Sequence, residues 1–134
     1  MTHVSLAFLF NENGEVLIAR RPDEKMFGGL WEFPGGKLEG NESAGDALIR
    51  ELEEELSIGT AVIELLRSYE YVMNDDTRLY FHPIVVEHLV GEIHLREHSE
   101  AAWVPPLSIE NYSLAPPDYD AAVILREYIG REAE

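Results

Sequence analysis

The chain has 134 residues, of which 26 are acidic and 10 are basic, giving a net charge of −16. This length fits one domain, residues 1–134, around one core. The charge argues against binding a nucleic-acid polymer, which needs basic surface. It favours a small phosphorylated substrate whose own charge is screened by metal ions. No apolar run approaches the roughly 18 residues of a membrane span, so no membrane association is expected. No signal peptide is expected either. With no cysteine, disulfides and thiolate metal sites are excluded. The expected location is the cytoplasm.

In chain order, His3–Phe10 alternates with Val4, Leu6, Phe8 and Phe10 on one face, which predicts a strand. Asn11–Gly14 is a turn, and Glu15–Arg21 returns as a second strand. Pro22–Leu30 is a loop. Trp31–Phe33 is a short strand feeding a Pro34-Gly35-Gly36 turn. Ser43 caps the next helix, with Asp46 three residues on resembling a capping box. Ala44, Ala47, Leu48 and Leu52 are its apolar side, and Gly45 inside it predicts close backbone packing. Ala61–Tyr71 and Leu79–Leu89 read as two longer strands. Glu100–Val104 is a short strand stopped by Pro105-Pro106, and Leu107–Tyr112 is a helical turn. Pro117–Arg131 is a final helix burying Ala121, Ile124, Leu125, Tyr128 and Ile129.

The segment from Gly35 to Ile58, GGKLEGNESAGDALIRELEEELSI, carries the chemistry. Glu51, Glu54 and Glu55 fall at i, i+3 and i+4, so they share one helical face. Like charges so placed repel, and a hard divalent cation such as Mg²⁺ would turn the repulsion into attraction. The plainer reading of such a run is a solvated face. The five histidines, His3, His82, His88, His94 and His98, show no zinc-ligand spacing. No G-x-S-x-G elbow or Walker loop is present. Trp31 and Trp103 read as packing residues.

Glu42, Arg50, Glu51, Leu52, Glu54 and Glu55 stand at fixed offsets from Gly36. This resembles the Nudix box, G-x5-E-x7-R-E-U-x-E-E-x-G-U, at every position except the last Gly, which is Ser57 here. The run Gly29-Leu30-Trp31-Glu32-Phe33-Pro34-Gly35-Gly36-Lys37-Leu38-Glu39 is similar to the MutT branch of that family. The resemblance implies an α/β/α sandwich with a mixed β-sheet. It also implies Mg²⁺-dependent hydrolysis of a nucleoside triphosphate to monophosphate and pyrophosphate, with Mn²⁺ as a substitute cation. An oxidised dNTP such as 8-oxo-dGTP, or a pyrimidine nucleotide, is the implied substrate. The rival substrates are a nucleotide sugar or a dinucleoside polyphosphate; a non-catalytic nucleotide sensor is the rival class. The partner is a small nucleotide, and the assembly is a monomer or homodimer.

The same resemblance implies site roles. Glu51, Glu54 and Glu55 bind metal with the main-chain carbonyl of Gly35. Glu97, shortly before Trp103, binds a second metal or serves as base, with Glu100 as its rival; Glu54 is favoured as base. Arg50 pairs with the box glutamates and fixes their rotamers, and Glu42 organises the loop. Lys37 meets a phosphate or stays exposed. Arg21, Phe33 and Arg78 approach the nucleotide. After Pro116-Pro117, where MutT proteins tend to have Asn, Asp118, Tyr119 and Asp120 supply the base reader. Ser57 leaves the helix end without its usual Gly, and Gly59 is expected to take over.

Overall fold

The computed structural model describes residues 1–133. Eight strands and two α-helices follow in the order β1 (Thr2–Leu9), β2 (Val16–Arg20), β3 (Trp31–Glu32), β4 (Gly35–Lys37), α1 (Ala44–Leu56), β5 (Gly59–Leu65), β6 (Tyr69–Val72), β7 (Arg78–Val90), β8 (Glu100–Val104) and α2 (Asp118–Glu132). A 3₁₀ turn spans Pro106–Asn111. Strands β4-β1-β7-β5 form one mixed sheet, with β6 also paired to β7; β3-β2-β8 form a second, antiparallel sheet. The sequence suggested one mixed sheet between helices; the three-stranded companion is an addition. Among the described residues, no helix is long and apolar enough to cross a membrane.

Strand β1 explains the layering. It lies between β4 and β7, parallel to the latter. From Ser5 to Leu9 it is buried on both faces, because α2 packs on one side of the sheet and α1 on the other. Leu6 and Phe8 join Ile18, Phe81, Ile124 and Leu125 on the α2 side. Ala7 and Leu9 join Leu48, Leu52, Leu56 and Ile84 on the α1 side. Gly45 lets α1 approach β5, because a Cβ there would stand 3.1 Å from Val62 Cγ2.

Three other expectations change. The predicted Ala61–Tyr71 strand divides into β5 and β6, because β7 is long enough to pair with both in succession. Val85 and Ile84 face Glu64 and Leu65, while Phe81 faces Tyr69. Between them the Leu66 N–H donates to the Pro83 carbonyl at 3.0 Å. The Gly35-Gly36 pair is strand rather than turn, with Gly35 opposite Leu6 and Gly36 opposite Ser5. A Cβ on Gly35 would collide with the Ser5 carbonyl oxygen, so only glycine permits that pairing.

Helix α1 starts as expected: the Asp46 N–H donates to Ser43 Oγ at 3.1 Å. Its end is corrected. Ser57 itself adopts the left-handed conformation (φ 63°, ψ 30°) and its N–H bonds the Glu53 carbonyl. Gly59 already belongs to β5, so it caps nothing.

Candidate active site

Helix α1 and β4 bring the acidic residues together. Gly36 has no side chain, and a Cβ there would overlap the carboxylate of Glu51. The box glycine therefore makes room for the box glutamate across the fold. Arg50 organises the rest. Its Nε and Nη2 donate to both oxygens of Glu42, at 2.7 and 2.9 Å. Nη1 reaches Glu51 at 2.9 Å and Glu54 at 3.2 Å, and Nη2 also donates to the Lys37 carbonyl at 3.1 Å. This pairing pulls the Glu42 carboxyl down to about 2. Glu42 also accepts the Glu39 N–H at 2.8 Å, closing the loop before α1.

Glu55 differs from its neighbours. It is 5% exposed and accepts the Gly35 N–H at 3.2 Å. Burial, and then the charges of Glu32, Glu51 and Glu97, push its carboxyl up to about 9. Burial also raises Glu51. Among the described residues, no trio of His, Asp or Glu groups is already drawn together as a metal cage; Arg50 holds Glu51 and Glu54 instead. The donor set nonetheless fits a hard divalent cation: all its atoms are oxygens, and Glu55 is starved of positive charge.

A cavity of about 480 Å³ runs from these carboxylates across the sheet. Its lining includes Gly35, Gly36, Lys37, Glu55 and Glu97, and with them Arg21, Asp118 and the apolar side chains of Val4, Leu6, Leu79 and Phe81, together with Lys25, Met26 and Phe27 of the Pro22–Leu30 loop. Glu51 and Glu54 sit outside this wall, Glu54 with a side chain 58% exposed. Glu100 turns to Arg20, 3.4 Å away, leaving Glu97 as the acidic residue of that segment in the cavity.

Asp118 begins α2 yet is only 3% exposed. Its Oδ2 accepts the Phe33 N–H at 2.8 Å. Burial, reinforced by the Glu32 charge, raises its carboxyl well above the usual range and so favours the protonated form. Phe33 is among the lining residues but only 2% exposed, and its ring packs edge-on against Phe8 at 4.9 Å. Trp31 packs edge-on against Tyr112.

Three expected nucleotide contacts are not brought to the cavity. Arg78 points outward and pairs with Glu70 at 2.7 Å, because strand alternation sends its neighbours Thr77 and Leu79 inward instead. Tyr119 turns back to accept the Leu114 N–H at 3.2 Å. Asp120 is exposed. On a helix, only one of three consecutive residues can face a given wall.

Two cavity residues escaped the sequence. Glu32 receives Arg21 Nη1 on one oxygen and His98 Nε2 on the other, each at 2.8 Å. The available signals were a charge between Trp31 and Phe33 in a short strand, and a histidine beside Glu97.

A NUDIX domain model matches residues 2–124. The chain is 36% identical to a CTP pyrophosphohydrolase of Escherichia coli over 113 residues, 84% of this chain and 83% of that protein. It is 31% identical to an 8-oxo-dGTP diphosphatase of Haemophilus influenzae over 113 residues, covering 84% and 82% respectively. The solution structure of the E. coli ORF135 protein superposes with a TM-score of 0.84 at 34% identity, covering 99% of this chain and 91% of that one. The fold, the matched domain and these relatives agree: the chain belongs to the NUDIX domain family, among its MutT-like hydrolases.

Proposed function

We propose that this protein hydrolyses a nucleoside triphosphate to the monophosphate and pyrophosphate with Mg²⁺ as cofactor. Nudix hydrolases act on phosphoanhydride bonds and generally use divalent metal ions. The carrying observation is that one cavity is lined both by acidic residues of the metal-binding segments, Glu55 and Glu97, and by the apolar side chains of Val4, Leu6, Leu79 and Phe81. Its volume lies in the usual range for small-ligand sites, about 300–1,000 Å³.

Glu51, Glu54, Glu55, Glu97 and the Gly35 carbonyl would hold the cation. When bound, it would neutralise phosphate charge and make the attacking water more acidic. The chain's own groups do the rest. Arg50 fixes the rotamers of Glu51 and Glu54 before substrate arrives. Glu54, exposed and free on one side, takes the proton of the water. Lys37 meets the phosphates beside Gly36. Arg21 and Asp118 contact the nucleoside. In its protonated form, which burial favours, the Asp118 carboxyl offers both a donor and an acceptor, as the amide of Asn does, whereas the ionised form only accepts. It therefore suits a base edge with adjacent donor and acceptor groups, as in cytosine or an oxidised purine. The two enzymatic relatives, named for CTP and for 8-oxo-dGTP, support that pair of candidates.

The test is pyrophosphate release from CTP, the four dNTPs and 8-oxo-dGTP, with Mg²⁺ and with EDTA. Magnesium-dependent release from at least one is expected. No release from any of them refutes the proposal.

A further inference from the structure

His98 lines the cavity, and the chemistry proposed above does not use it. It is 8% exposed, with Nε2 2.8 Å from Glu32 Oε2. The other Glu32 oxygen holds Arg21 Nη1 at 2.8 Å, and Arg21 Nε donates to the Met26 carbonyl at 2.6 Å. A hydrogen-bonded chain thus runs His98–Glu32–Arg21–Met26 along the wall.

The backbone pins His98 from both sides. The Arg96 N–H donates to the Glu55 carbonyl and the Ser99 N–H to the Arg20 carbonyl, each at 3.0 Å. His98 Nδ1 is buried with no partner among the described residues. An unpaired buried polar atom costs about 1–3 kcal/mol. The contact that the ring does make is through its other nitrogen, on Glu32. Glu32 needs such restraint, since its charge acts on both Glu55 and Asp118. Released from His98, it could swing toward the phosphate-binding carboxylates or loosen its hold on Arg21.

We propose that His98 is a positioning residue for nucleotide binding: by fixing Glu32 it sets Arg21 against the nucleotide in the cavity. This rests on the triphosphate hydrolase reading above. It differs from a role in the metal cluster, although Glu97 is the preceding residue.

The experiment compares steady-state kinetics of the parent, His98→Ala, His98→Gln, Glu32→Gln and the double variant His98→Ala/Glu32→Gln on the best substrate of the panel. His98→Ala is expected to raise KM about tenfold with kcat changed less than about threefold, the pattern of lost binding shared by ground and transition states. His98→Gln should recover most of the loss, because its amide N–H can take the place of Nε2–H. In the Glu32→Gln background, His98→Ala should add nothing further, since the two act as one unit. If His98→Ala does not fold, His98→Asn replaces it; Asn is too short to reach Glu32 and should show the KM rise that Gln does not.

An unchanged KM, a fall in kcat alone, or independent effects of the two sites would each overturn the proposal; a kcat effect would place His98 with Glu97 instead. Failure of the underlying function is distinguishable, because the parent itself would then release no pyrophosphate, and the proposal would fall with it.

Discussion

Replacing Glu55 by Gln probes the central tension of the site, a carboxylate buried among other carboxylates. Gln keeps the shape and can still accept the Gly35 N–H. In the metal-free protein the Glu55 carboxyl is pushed up to about 9 from an ordinary value of 4.5. The folded state then binds more protons than the unfolded state between those limits. Its contribution to stability is full below pH 4.5 and is lost as pH rises toward 9. At pH 7 the unfolded carboxylate is favoured by 2.5 pH units, which at 1.36 kcal/mol per unit is roughly 3 kcal/mol. Gln has no proton to lose. In EDTA, the stability difference between Glu55→Gln and the parent should therefore move in favour of Gln by roughly 3 kcal/mol between pH 4.5 and 7. Other titrating groups, Asp118 included, are common to both proteins and cancel. Saturating Mg²⁺ should reverse the order at pH 7. A cation held at 100 times its Kd stabilises by about 2.7 kcal/mol, and the parent alone has the carboxylate to bind it fully. Urea unfolding at a series of pH values, with EDTA and with Mg²⁺, measures both effects. A pH-independent difference in EDTA would refute the account of Glu55.

Four further outcomes are expected. Glu54→Gln should lose at least about a hundredfold in turnover, while a side chain that is 58% exposed leaves the unfolding midpoint nearly unchanged; an unaltered rate removes Glu54 from the mechanism. Asp118→Asn should remove a titration from the pH profile of KM, because burial raises the Asp118 carboxyl and an amide has no such proton to lose; parallel pH profiles would show that this proton is not used. Ser57→Gly should stabilise by about 1 kcal/mol, since it relieves a left-handed non-glycine residue and removes a buried hydroxyl without a partner; denaturant titration checks it. Gly35→Ala should destabilise by about 2–4 kcal/mol, because its Cβ would meet the Ser5 backbone in the β1–β4 pairing; thermal melting suffices.

Local spacing made much of this molecule legible. The i, i+3, i+4 carboxylates, the Ser43 cap and most of the core face of α2 depend on neighbours a turn away and appear where periodicity placed them, although Tyr128 and Ile129 are only partly buried and Ala122 joins the core. The bounds of β8 were read without error for the same reason: a short alternating run stopped by prolines. The Nudix-like spacing carried the family, because its residues are fixed in sequence by one loop and one helix.

Contacts between distant segments were not legible. Whether Glu97 or Glu100 enters the cavity depends on the register of β8 against β2, which hands Glu100 to Arg20. Whether Arg78 or its neighbours face inward depends on the phase of β7, and a slip of one residue would exchange them. The Gly35-Gly36 pair became strand because β1 was there to pair with it.

The sequence by itself determined which acidic side chains share a helix face and which family spacing they follow. The tertiary structure decided which of them are buried, and it assembled Glu32, Arg21 and His98 into one chain of bonds. The reason is physical. Helix geometry is set by hydrogen bonds four residues apart, whereas burial and strand register arise from contacts 66 residues apart, as between His98 and Glu32.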